Sequence, residues 1–182
     1  MAQRYLFAVP VPSVIVPSLV AAVEGVTNQP FTVRFPHMSI IHPCTLKDGV
    51  TVEQVLAALQ QLPIPPLSLS LTTMGVFHPQ GRHLVYVHVE PGAALLALHQ
   101  RLKVLVENLI EVDASIFTDG VVPQFESHVT LAYDLDPTRA ANLENKPLSS
   151  VPISFSLQKI GLYIEKSKGV WEEVAVSQNM GV

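Results

Sequence analysis

The sequence predicts an α+β fold with antiparallel or mixed sheets, and three observations predict it. Apolar residues recur with period two in some segments and at i, i+3, i+4, i+7 in others. Several of the period-two segments are joined by short turn-forming stretches, as hairpins are. The order of elements lacks the regular strand-helix alternation of a doubly wound parallel sheet.

The first strand is read over Arg4 to Val11, followed by a helix near Pro17 to Val26. A second strand runs from Thr32 to Ile41. The next helix, Val52 to Leu62, carries Val52, Val55, Leu56 and Leu59 on one stripe, and Pro63-Ile-Pro-Pro66 stops it. Leu67 to Phe77 alternates leucine with small polar residues, as a half-buried strand does. His78-Pro-Gln-Gly-Arg-His83 supplies turn chemistry, and Leu84 to Val89 returns to complete a hairpin. Ala93 to Ile110 is the longest expected helix, with Leu95, Leu98, Leu102, Leu105, Val106 and Leu109 sharing a face. A strand from Phe125 to Tyr133 follows, then a short helix, Pro137 to Leu143, opened by Asp136-Pro137. Beyond a break at Ser150-Val-Pro152, the chain alternates through Ile153 to Ile164, turns at Lys166 to Gly169 and returns through Trp171 to Val176. Without a long linker, residues 1–182 are expected to form one domain of two interleaved lobes.

Composition narrows the function. Hydrophobic residues at 48% and charged residues at 14% describe a core-forming chain. A net charge of −4 argues against a protein that grips long duplex nucleic acid by its backbone. Pro10, Pro12 and Pro17 interrupt the apolar N-terminal stretch, which also lacks the basic head and cleavage site of a secretory leader. A cytoplasmic protein with no membrane partner is the expectation. Cys44 stands alone, so an internal disulfide and a cysteine-rich zinc site are excluded.

Two short stretches spoil otherwise apolar strands in the same way. In His37-Met-Ser-Ile40 the imidazole and the hydroxyl share one strand face, while Met38 and Ile40 share the other. His128-Val-Thr-Leu131 repeats the arrangement 91 residues downstream. One histidine on a strand is usually an imidazole held by a single hydrogen bond. A pair with identical polar escorts suits in-line displacement at phosphorus. One imidazole takes a proton from water and the other gives one to the departing sugar oxygen, both near neutral pH. Ser39 and Thr130 are placed to donate to the non-bridging oxygens, where transition-state charge collects. This scheme requires neither metal nor cofactor, and Asp113, Asp119 and Glu126 form no metal-ligand spacing. The sequence leaves open which histidine is acid and which is base.

Weaker candidates surround the pair. Arg82, in the hairpin turn, is either a phosphate contact or a solvated turn residue. Phe77 is either core or a stacking platform. Tyr133 faces away from His128 by strict alternation, yet suits a base-stacking position at a groove rim. Arg34 is assigned to solvent and His42 to the face opposite His37. His78, His88 and His99 show no evident partner.

The two tetrapeptides resemble the two-histidine phosphoesterase superfamily, defined by two copies of His-Φ-[Ser/Thr]-Φ with Φ apolar. The nearest branch is the 2′-5′ RNA ligase family, also described as RNA 2′,3′-cyclic phosphodiesterases. Arg4-Tyr-Leu-Phe-Ala-Val-Pro-Val-Pro12, Met74-Gly-Val-Phe77, Arg82-His-Leu-Val-Tyr-Val87 and Ile160-Gly-Leu-Tyr163 extend the resemblance over nearly the whole chain. It implies a two-lobed, pseudo-twofold fold in which each lobe gives one motif strand to a central groove. It also implies hydrolysis of a 2′,3′-cyclic phosphate, on a nucleotide or a short RNA end, to a 2′-phosphate without a metal. Ser39 stands where threonine is commoner, and it keeps the hydroxyl. A 2′-5′ ligase activity on large RNA fits the low basicity less well than action on short ends. The alternatives are a non-catalytic nucleotide-binding module using the same groove, or a protein-binding domain with incidental histidines.

Overall fold

The computed structural model describes residues 2–78, 83–117 and 120–178. Four helices lie among nine strands in the described residues: β1 (Tyr5–Pro10), α1 (Val16–Thr27), β2 (His37–Leu46), α2 (Val52–Gln60), β3 (Ser68–Phe77), β4 (Leu84–Glu90), α3 (Gly92–Val106), β5 (Ile110–Val112), β6 (His128–Tyr133), α4 (Pro137–Ala141), β7 (Ile153–Ser156), β8 (Lys159–Ser167) and β9 (Val170–Gln178). Every strand pairing is antiparallel, in the order β7-β3-β4-β6-β2-β1-β8-β9, with β5 pairing β2 off this path. The fold is the α+β class that the patterning predicts.

The sheet divides at one seam. β6 and β2 meet there through a single paired position, Met38 opposite Val129. The chain enters through β1 and β2 on one side, builds β3, β4, β6 and β7 on the other, and ends with β8 and β9 back on the first. The two motif strands are therefore neighbours in space despite their separation along the chain.

All four helices pack on one face of the sheet. Leu19 and Val23 of α1, Val55 and Leu59 of α2, Leu95, Leu98, Leu102 and Val106 of α3, and Ala140 of α4 join the same buried cluster as Met38, Met74, Val87 and Val129. Local chemistry sets their ends. Thr51 and Gln54 form a reciprocal capping box at the start of α2. Asp136 accepts from the amides of Thr138 and Arg139 ahead of α4. Asn28 takes the left-handed conformation that closes α1.

Several boundaries differ from the sequence reading. The second strand begins at His37 and continues through Pro43 to Leu46, because Pro43 needs no amide partner while its carbonyl accepts from Asp113. The long helix stops at Val106, and Ile110 to Val112, expected as its last turn and the loop beyond, form a strand on β2. The alternating stretch from Ile153 to Ile164 is two strands, not one. Its first part, β7, pairs β3, and its second, β8, crosses the seam to pair β1. Alternation reports which face is apolar and is blind to the partner strand. The turn between β3 and β4 lies partly outside the described residues, and Arg82 and Asp119 lie outside them too.

Candidate active site

The register assembles the four motif side chains on one face. With Met38 opposite Val129, antiparallel pairing sets His37 opposite Thr130 and Ser39 opposite His128. Met38, Ile40, Val129 and Leu131 are fully buried in the helix-covered core, whereas His37, Ser39, His128 and Thr130 keep partial exposure. Directly opposed strand residues have Cβ atoms about 5 Å apart, and diagonal neighbours such as His37 and His128 lie roughly 7–8 Å apart. That spacing admits one phosphoryl group between two imidazoles.

Both rings are held alike. His37 Nδ1–H donates to the carbonyl of Phe35 at 2.6 Å, and His128 Nδ1–H donates to the carbonyl of Glu126 at 2.8 Å. Each bond fixes the tautomer and leaves Nε2 as the reactive nitrogen. Burial pushes the pKa of His37 down to about 4, against the hydrogen bond to Phe35, and His128 adds to the lowering by like-charge coupling. Burial also lowers His128, opposed by the hydrogen bond and the carboxylate of Glu126, with His88 adding to the lowering.

Aromatic rings wall both sides. Phe35 stacks on His37 with centroids 4.7 Å apart and also meets Tyr163 at 4.7 Å. On the other side of the seam Phe77 stacks on Tyr86 at 4.1 Å, and these rings lie 5.0 and 5.2 Å from His128. Phe77 is thus beside a motif histidine and not inside the helix-covered core. Two glycines make room for the tyrosines: a Cβ on Gly75 would sit 2.3 Å from the ring of Tyr86, and one on Gly161 2.5 Å from the ring of Tyr163.

Bulges correct the strict alternation in both motif strands. On β2, Ala8 pairs Ser39 but Phe7 pairs Ile41, so Ile40 and Ile41 are both buried and the face changes after them. Ile41 therefore joins the core instead of following His37 and Ser39, and His42 stands edge-on to Phe117 and lines a recess with Leu96 and His99 of α3. Burial, with the charges of His128 and His99 adding to it, lowers the pKa of His42 to about 4. On β6, Tyr86 pairs Thr130 but Val85 pairs Ala132; Ala132 then packs on the core, and Tyr133, half exposed and opposite Leu84, returns to the motif face. Alternation places Tyr133 on the wrong side, because an extra residue in a strand leaves no reliable sequence mark.

The residues that sequence reasoning passed over are Tyr86, His88 and Glu126. Tyr86 Oη–H donates to Glu126 Oε1 at 2.9 Å, and His88 Nδ1 lies 3.2 Å from the same oxygen. Their signal was faint: His88 sits opposite His128 only once β4 and β6 are paired. His99 donates or accepts through Nε2 only, because its Nδ1–H is spent on the carbonyl of Ile40 at 2.7 Å, and its ring stacks on Phe125. Arg34 is exposed, as expected. Cys44 is buried, and desolvation pushes its thiol up to about 12, which makes it inert. No group of three or more histidine, cysteine or carboxylate side chains converges on a metal position among the described residues.

Comparison with known proteins agrees with this architecture. The structure is similar over 98% of both chains to the crystal structure of TT0787 of Thermus thermophilus, with a TM-score of 0.72 and 21% identity. It is similar over 98% of both chains to E. coli LigT complexed with 3′-AMP, with a TM-score of 0.67 and 14% identity. With E. coli LigT complexed with NADP+ the TM-score is 0.65 at 17% identity, over 97% of both chains. At these identities the likeness is one of fold. A comparison with curated proteins finds no sequence match. The sequence model of the 2′-5′ RNA ligase superfamily matches residues 11–169, which include both histidine motifs, and the chain belongs to that superfamily of two-histidine phosphoesterases.

Proposed function

We propose that the protein is a metal-independent phosphodiesterase that opens a 2′,3′-cyclic phosphate, on a nucleotide or a short RNA end, to a 2′-phosphate. One observation carries the reading: two His-Φ-[Ser/Thr]-Φ units lie side by side on antiparallel strands, each histidine's Nε2 freed by a backbone bond at Nδ1. His37 and His128 form the acid-base pair, and Ser39 and Thr130 donate to the non-bridging oxygens. Phe77 and Tyr133 serve as stacking surfaces for the base, and Arg82 as a phosphate contact. Residues 1–182 work as one catalytic domain, since each side of the seam gives one half of the quartet. E. coli LigT has been crystallised with 3′-AMP, NADP+ and ATP, which supports a nucleotide-shaped groove in this fold.

The test is a panel of 2′,3′-cyclic nucleotides, cyclic-phosphate-ended oligoribonucleotides and 2′-5′-linked dinucleotides, with products resolved by phosphorus NMR. Conversion of the cyclic substrates to 2′-phosphates is the expected result. Tight binding without product after long incubation overturns the catalytic reading and favours a nucleotide-binding module.

A further inference from the structure

The two halves of the site differ in how a carboxylate is partnered. On the side of β1, β8 and β9, Glu173 takes Lys159 Nζ at 2.6 Å and the hydroxyl of Tyr163 at 3.1 Å, so its charge is neutralised. On the other side Glu126 Oε1 takes the hydroxyl of Tyr86 at 2.9 Å and meets His88 Nδ1 at 3.2 Å, and no lysine or arginine pairs with it among the described residues. An uncompensated carboxylate is a costly neighbour for a site that must accept an anion. The side chains of Glu126 and His88 stay 39% and 34% exposed, while Tyr86 is buried with its hydroxyl already committed. His88 is paired opposite His128, so it stands one strand, about 5 Å, farther from the seam than that imidazole. Phe77 flanks the same cluster, flat against Tyr86 and edge-on to His128.

We infer that Glu126 and His88 read the base of the substrate and select guanine. The inference rests on the cyclic phosphodiesterase reading above and deepens it. In a 2′,3′-cyclic nucleotide only the ribose separates the base from phosphorus, which matches the one-strand step from His128 to His88. A base laid on Phe77 brings its hydrogen-bonding edge to the cluster. Neutral His88, giving its Nδ1 proton to Glu126 Oε1, keeps a lone pair at Nε2, and the carboxylate has acceptor sites left at Oε2. The cluster therefore offers acceptors only. Guanine carries two adjacent donors, N1–H and the N2 amino group. Adenine and cytosine set a bare ring nitrogen beside their amino group, and uracil sets a carbonyl on each side of N3–H. Two acceptors pair fully with guanine alone; every other base turns a lone pair toward one of them, which is repulsive. The charge of Glu126 is then offset by the charge-assisted hydrogen bonds it receives from the base.

The test compares kcat/KM for the 2′,3′-cyclic phosphates of guanosine, inosine and adenosine. Wild type should favour guanosine over adenosine by about tenfold or more, the usual worth of a paired base contact, with inosine, which lacks the N2 amino group, in between. Glu126→Gln replaces an acceptor by a donor and should bring the guanosine-to-adenosine ratio down toward one; His88→Phe should lower it too. Glu173→Gln, on the other half, should keep the wild-type ratio. Because each ratio is taken within one preparation, a loss of folded protein cancels from it. A wild-type ratio near one, or a ratio that Glu126→Gln leaves unchanged, overturns the inference. If the wild type turns over no cyclic phosphate, calorimetric titration with 3′-GMP and 3′-AMP separates the two readings. Tighter binding of 3′-GMP that Glu126→Gln weakens keeps the base selection and removes only the catalysis. Equal affinities, or no binding of either, remove both.

Discussion

At the scale of single residues, the site is four polar side chains on an otherwise apolar seam, and each has its own expected signature. His37→Ala or His128→Ala should lower kcat on a 2′,3′-cyclic nucleotide by about 10²–10⁴-fold, the usual worth of a positioned acid or base. Ser39→Ala or Thr130→Ala should cost about 10²-fold if the hydroxyls stabilise transition-state charge, with Ser39→Thr nearly neutral. Circular dichroism melts that match the wild type separate lost chemistry from lost folding. The buried imidazoles also tie stability to pH. His37 and His42 have folded pKa values near 4 against 6.5 when unfolded, so below pH 6.5 the unfolded chain binds more protons than the folded one. Stability should be level above about pH 6.5 and decline from there toward pH 4, as read by urea midpoints. His42→Asn should flatten that decline, and it also removes a buried Nε2 that has no hydrogen-bond partner among the described residues.

At the scale of elements, glycines show how backbone space is spent. Gly25 lies on the exposed side of α1 with nothing near its missing Cβ, so Gly25→Ala should raise the melting temperature, through about 0.5–1 kcal/mol of helix propensity. Gly75 on β3 sits beneath the ring of Tyr86, and Gly75→Ala must push that ring away from Phe77 and His128. The expected result is a loss of kcat larger than the loss of stability, measured on the same preparation. The elements themselves were largely legible in the sequence. The apolar stripes of α2 and α3 and the alternation of β3 and β4 are local signals, set by burial on one side. What escaped was what pairing decides: β5, three residues long, has no pattern of its own and exists because β2 offers it an edge. The bulges at Ile41 and Ala132 escaped for the same reason.

At the scale of the molecule, the face opposite the helices gathers Leu6, Ala8, Phe35, Tyr163 and Trp171 beside His37. Trp171 is the only tryptophan of the chain, so its fluorescence reports on this face without interference. A nucleotide entering the groove should change its emission, and His37→Ala should keep that response while losing turnover. An emission that ignores saturating 2′,3′-cyclic AMP or 3′-AMP would place the nucleotide elsewhere. Activity should also survive prolonged chelation unchanged, as expected of a reaction run by two imidazoles.

The chemistry and the class of fold are written locally along the chain. Two histidines, each with a hydroxyl two residues on, can be spelled in four letters because strand periodicity is a local rule. Folding settled everything that depends on partners: that β2 and β6 meet at Met38 and Val129, that a bulge returns Tyr133 to the motif face, and that Tyr86 and His88 both meet the carboxylate of Glu126. Register is set by the packing of distant strands against a common core, and no short stretch of chain contains that information.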